Sequence, residues 1–134
     1  MIEPLGRACD ALERSDVEGF MVIIEEIAHP DCEWISYFSG EVEGRTHRGY
    51  DGMRTWASDL SEAFDVRYED REFRAMGEDA VLFLSRFDYR GRGSGIDLSN
   101  EIGVLWEFED GLFRSGRAYG SQAEARAAAE ALHA

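Results

Sequence analysis

The sequence predicts an α+β fold in which one curved antiparallel (mixed) sheet is wrapped by N-terminal helices into a cone-shaped half-barrel. Three observations predict it. Residues 79–120 read as three long consecutive strands joined by tight turns. The helix-period segments are grouped ahead of this meander instead of alternating with strands, which is the α+β order. The chain of 134 residues has no repeat or linker, so residues 1–134 form a single domain able to bury roughly two-thirds of its unfolded surface.

Residues 3–14 carry Leu5, Ala8, Ala11 and Leu12 on one helical face, and Pro4 is tolerated in a first turn. Ser15-Asp16 supplies an N-cap for a second helix, whose Val17, Phe20, Met21, Ile24, Ile27 and Ala28 form an i, i+3, i+4, i+7 stripe. His29-Pro30 ends that helix, because a residue before proline avoids the α region. CEWISYF is a first strand, residues 39–49 a polar loop, and residues 51–64 a third helix with Met53, Trp56, Ala57, Leu60 and Phe64 inward.

DVRYEDREFRAM is then a long strand with a register break expected between Glu69 and Glu72. AVLFLSRFDYR runs to the glycine-laden GRGSG, and IDLSNEIGVLWEF returns from it. Asp110-Gly111 is the dipeptide a two-residue hairpin prefers, since both central positions need positive φ. LFRSGRAY closes the meander. Ser121 caps a last helix, with Glu124 completing a capping box. The predicted order is ααβαββββα.

Strand alternation places Leu82, Leu84, Arg86 and Asp88 on one face, and Phe83, Ser85, Phe87 and Tyr89 on the other. Both faces are apolar in the middle, and a sheet apolar on both sides covers both. The helices suffice for one face. The outer face therefore predicts a homodimer, through Phe83, Phe87 and Leu105.

Composition excludes several functions. The net charge of -14 repels phosphate backbones and anionic membrane surfaces, so neither nucleic acid nor membrane is an expected partner. No run of about 18 apolar residues is present to span a bilayer. MIEPLGRACDALER lacks an apolar signal core, so the expected location is cytoplasmic. Cys9 and Cys32 have no CxxC neighbour and read as reduced structural thiols. Every basic residue except histidine is arginine, which rules out lysine Schiff-base chemistry. No histidine or carboxylate cluster has metal-ligand spacing, and GRGSG joins strands instead of opening a helix. No metal or cofactor is expected.

HPDCEW, RGYDGMRTW, SRFDYRGRGSG and VLWEFEDGLFRSGRAYGSQAEA, in that order and spacing, resemble the nuclear-transport-factor-2-like superfamily. The likeness is to its SnoaL-like branch (polyketide cyclase-like and ketosteroid isomerase-like) and covers residues 5–132. It implies a cystatin-like cone, commonly dimeric, whose apolar cavity hosts isomerases, cyclases, dehydratases, epoxide hydrolases and members without activity. Fold alone does not choose among these.

Carried over residue by residue, the isomerase resemblance puts a carboxylate base near Ile35 or Ser36 and an oxyanion hole at Ala8 and Val104. None of these residues can perform that chemistry. The epoxide-hydrolase resemblance finds its Arg-x-Asp in Arg86 and Asp88, but its second acid falls on Ala118, beside Tyr119. Arg86, Asp88 and Tyr119 are thus the candidate catalytic set, with the phenol a far weaker acid than a carboxylic acid. An arginine and an aspartate two apart on a strand are also often just neighbours near a strand end, where Asp88 meets solvent. Trp34, Tyr37, Trp56 and Trp106 are candidates to line a pocket for a flat apolar ligand, Asn100 to orient a carbonyl, and His47 to act at the mouth as acid or base.

Two functions follow. One is binding of a small, mostly apolar molecule in the cone, with cofactor-free acid/base chemistry. The other is a non-catalytic dimeric binding or assembly module whose interior is filled by aromatic side chains. A cavity of a few hundred Å³ reaching Arg86 and Asp88 favours the first, and a filled interior the second.

Overall fold

A computed structural model describes residues 2–36, 46–93 and 95–132. Helices α1 (Ile2–Glu13) and α2 (Val17–Ile27) lead into strand β1 (Ala28–Ile35), a two-residue strand β2 (His47–Arg48) and helix α3 (Gly49–Ala63). Strands β3 (Phe64–Ala75), β4 (Ala80–Gly91), β5 (Asp97–Glu109) and β6 (Leu112–Tyr119) form the meander, and α4 (Gln122–Ala131) closes the chain. The six strands lie in the order β2-β1-β6-β5-β4-β3. β1 runs parallel to β6 and every other pairing is antiparallel, so the sheet is mixed and curved.

The local chemistry explains the element ends. Asp16 caps α2 by accepting from the Gly19 amide, and Ser121 caps α4 by accepting from that of Glu124. Asp110 and Gly111 have φ of 54° and 81°, as the hairpin between β5 and β6 requires. β3 slips register between Glu69 and Glu72, with Asp70 at φ 53°, and the Ser85 hydroxyl donates to the Glu69 carbonyl at 2.7 Å. Arg71, within the bulge, reaches Asp10 at 2.7 Å and Glu13 at 3.0 Å on α1. Glu13 also accepts from the Tyr68 amide at 2.8 Å, on the unpaired edge of β3.

Two expectations are corrected here. β1 begins at Ala28 and not at Cys32, because the bias away from α before Pro30 both ends the helix and starts the strand. Pro30 donates no ladder hydrogen bond, and the β1–β6 register shifts between Ala28 and Glu33 around it. β2 adds a short strand within what reads as loop, since two residues show no periodicity.

The third correction concerns the faces of the sheet. Phe83 pairs with Val104 and packs with Phe87, Tyr89, Ile102 and Trp106 into the main core, beneath α1, α2 and α3. These side chains line the concave face, so Phe83 and Phe87 do not form an outer dimer surface. The convex face carries Leu82, Leu84 and Leu105, and α4 covers them with Ala125 and Ala129. Gly103 allows that approach: a Cβ there would lie 2.3 Å from the Cβ of Ala125. Among the described residues no helix is long and apolar enough to cross a membrane, and Cys9 and Cys32 are free thiols.

Candidate functional site

The centre of the concave face is built on an absent side chain. Trp34 on β1 and Trp106 on β5 both pair with Gly116 of the intervening β6. Strands two apart are roughly 9.5 Å from one another. The two indoles nevertheless stack at 4.8 Å with their planes 6° apart. They meet over Gly116, where a Cβ would sit 2.5 Å from Cε3 of Trp106 and 2.9 Å from Cε3 of Trp34. Trp56 of α3 meets the edge of Trp34 at 5.2 Å, and Phe113 that of Trp106 at 5.0 Å.

Beside this aromatic stack lies an apolar cavity of about 50 Å³. Helices α1, α2 and α3 contribute Leu5, Phe20, Met53 and Trp56, and the sheet contributes Trp34, Phe83, Val104 and Trp106. No aspartate, glutamate, histidine or arginine lines it among the described residues. The lining residues that carry a polar side-chain atom are few: Cys9, Ser36, Tyr68, Tyr89 and the three tryptophans. The indole N–H groups of Trp34 and Trp106 are buried and have no hydrogen-bond partner among the described residues.

Burial pushes the Cys9 thiol up to about 12, reinforced by Asp10 and Glu13 and opposed by Arg71. It also raises the Tyr68 and Tyr89 hydroxyls, which share a hydrogen bond. All three groups therefore hold their protons at neutral pH.

Four of the positions that the family resemblance assigns to catalysis lie here. Ala8, Ser36, Val104 and Ala118 all line the cavity. Each of the four carries a side chain unable to move a proton near neutral pH, while Ile35, Arg86 and Asp88 do not line the cavity.

The other candidates are dispersed. Arg86 and Asp88 lie on the convex face, clear of the cavity, where Arg86 Nε is 3.1 Å and 3.2 Å from the two Asp88 carboxylate oxygens. Ser99 donates to the same carboxylate at 2.6 Å. Arg86 and Ser99 hold the Asp88 carboxyl below the usual carboxylate range. The pair borders an open polar basin with Arg67, Arg90 and Asp97.

Tyr119 is also on the convex side, packed by α4, with the Arg117 guanidinium 5.3 Å above its ring. The structure does not bring it to Arg86 and Asp88 in a shared pocket. Asn100, opposite Phe87, is exposed beyond the cavity. His47 is not a surface-loop residue: it is buried in β2, opposite Trp34, and does not line the cavity. Tyr37 lies outside the described residues. Of the aromatic candidates, Trp34, Trp56 and Trp106 do meet at the site.

Sequence reasoning missed Cys9, Tyr68 and Tyr89 as lining groups. The signal for Tyr89 is the odd-numbered face of β4, and Tyr68 of β3 pairs with Phe87 of that same face, once it is known to be the inner one; Cys9 follows Ala8 on α1. Gly116 was missed too, although a glycine inside a strand is itself a sign of close approach.

The SnoaL-like domain family matches residues 5–115 of the chain. No curated protein matches the sequence. Solved structures with the same fold include a protein of ketosteroid isomerase-like fold from Catenulispora acidiphila DSM 44928, in complex with trimethylamine. It is 12% identical with a TM-score of 0.72, over 90% of this chain and 87% of its own. A nuclear-transport-factor-2-like protein from Burkholderia xenovorans LB400 is 20% identical with a TM-score of 0.70, over 96% and 94%. The protein TerC, co-crystallised with polyporic acid, is 19% identical with a TM-score of 0.67, over 96% and 97%.

Proposed function

The chain belongs to the SnoaL-like domain family, and from that premise we propose that it binds a small, mostly apolar molecule in its cone without acid–base turnover. One observation carries this reading: Ala8, Ser36, Val104 and Ala118, the positions at which the family resemblance implies acids, bases or oxyanion donors, line the cavity without such groups.

General acid–base catalysis works best with a group whose pKa lies near the operating pH. The thiol and phenols available here are displaced in the wrong direction by burial. Arg86 and Asp88 satisfy one another on the opposite face of the sheet. What the cone offers is apolar contact and a few fixed donors, which is the composition of a binding pocket.

Size narrows the occupant. The cavity of about 50 Å³ falls short of the few hundred Å³ that would favour binding with acid–base chemistry, does not reach Arg86 or Asp88, and is well below the roughly 150 Å³ void that takes up benzene in another protein. The fold neighbours in complex with trimethylamine and co-crystallised with polyporic acid support a range of ligand sizes for such proteins, and this cavity belongs at the small end.

Native mass spectrometry of freshly purified protein, followed by release of any adduct, tests the reading. The expected adduct is small and is released chemically unchanged. Release of a converted product from an added ligand overturns the non-catalytic part. Failure of the cavity to take up xenon or any small apolar probe overturns the binding part.

A further inference from the structure

Trp34 and Trp106 present an account that does not close among the described residues. An indole N–H is a donor only, fixed in the plane of its ring, and cannot turn to find another acceptor as a hydroxyl can. Trp34 is 3% exposed, and the N–H groups of both rings are buried without a partner among the described residues. Buried donors in folded proteins are nearly always satisfied, and each exception asks for a cause.

These two are neighbours, held in one stack by the missing side chain of Gly116, and both rings line the same cavity. An acceptor that entered the cavity would lie against the two rings that carry these donors.

The charge of the occupant follows from its surroundings. No arginine or histidine lines the cavity among the described residues, so a carboxylate or phosphate would be buried without a counter-charge. The net charge of -14 repels anions further. A neutral oxygen acceptor meets neither penalty, and the apolar walls accept the alkyl groups around it.

We propose that the paired indole N–H groups of Trp34 and Trp106 seat the oxygen of a small uncharged acceptor, such as a ketone or an amide. This assignment rests on the binding reading above and names the chemical class of its ligand.

Acetone and isobutene have the same shape and differ in that only acetone carries an acceptor oxygen. Titrating each into the nitrogen-15-labelled protein while following the indole N–H resonances tests the proposal. Acetone is expected to move the Trp34 and Trp106 indole protons downfield in a saturable way. Isobutene is expected to bind more weakly and leave those protons without a downfield shift. Trp106→Phe keeps a ring in the stack and removes its donor. It should lower the ratio of acetone to isobutene affinity about three- to tenfold, the worth of one hydrogen bond.

Trp34→Phe should do the same, and if that variant fails to fold, Trp106→Phe decides alone. Equal affinity for both probes, with unmoved indole protons, overturns the oxygen seat and leaves the cone as an apolar binder. Absence of binding by either probe overturns the binding reading and the seat together.

Discussion

Gly103 and Gly116 perform the same service on opposite faces of one sheet, with different consequences. Each removes a Cβ that would collide with a neighbour, Ala125 of α4 in the first case and the Trp34–Trp106 stack in the second. On the convex side the gain is a small helix laid over Leu84 and Leu105, at the edge of the fold. On the concave side it is the aromatic centre of the main core and one wall of the apolar cavity. The convex face beyond α4 is charged, with Arg86, Asp88 and Ser99 partnered to one another. Among the described residues, the concave face is where polar groups are left without partners. Function is therefore to be sought on the side where packing is dense and polar pairing is incomplete.

The largest test of this contrast is Phe83→Ala. Phe83 is buried against Phe73, at 4.5 Å, and against Tyr68 and Phe87. Its truncation should cost about 3–5 kcal/mol of unfolding free energy, read from the denaturant midpoint. A loss below about 1 kcal/mol, accompanied by a change in association state, would return Phe83 to the outer face.

Next are the two glycines. Gly116→Ala should cost about 2–3 kcal/mol and alter the near-ultraviolet signal of the stacked indoles. Gly103→Ala should cost about 1–2 kcal/mol, because α4 can lift away as a unit, with faster amide exchange confined to residues 122–131. Equal losses with exchange spread through the sheet would make the outer layer as integral as the inner one.

A smaller effect comes from Cys9. Its thiol is raised from 9.0 to about 12, so above pH 9 the unfolded chain releases a proton that the folded chain retains. Stability should fall as pH rises from 9 to 12. Cys9→Ala should remove that component from the alkaline slope, and an unaltered slope would mean that the thiol is not held in the cavity wall.

The smallest effect is Asp88→Asn. The Asp88 carboxyl is lowered by Arg86 and Ser99, so its contribution is present above the ordinary carboxylate value of 3.8 and is lost as pH falls through the depressed one. The pair is open to water, so wild type and variant should differ slightly and only on the acid side. Acetone affinity should not change. A weakened affinity would couple the convex pair to the cavity and undo the separation of faces.

What the sequence disclosed follows the range over which each signal acts. The caps at Asp16 and Ser121, the Asp110-Gly111 turn and the bulge at Glu69 to Glu72 are written within a few residues, and all were legible. The two faces of β4 were separable by alternation. Which of them faces the helices was not, because Leu82 and Leu84 are as apolar as Phe83 and Phe87, and the deciding fact is where α4 lands. That single ambiguity moved Arg86 and Asp88 from the interior to the exterior. The meeting of Trp34 and Trp106 depends on the register of three strands at once, and no local pattern encodes it.

The end of α1 has a consequence for how copies of this chain meet in crowded solution. β3 is an edge strand, and its outward amides are a template on which a foreign strand could extend the sheet. Glu13 occupies one such donor, that of Tyr68, and is itself tethered by Arg71. The helix thereby acts as a stopper against fibrillar growth at the rim, and a chain lacking the Glu13 carboxylate should aggregate sooner on heating, even with its core intact.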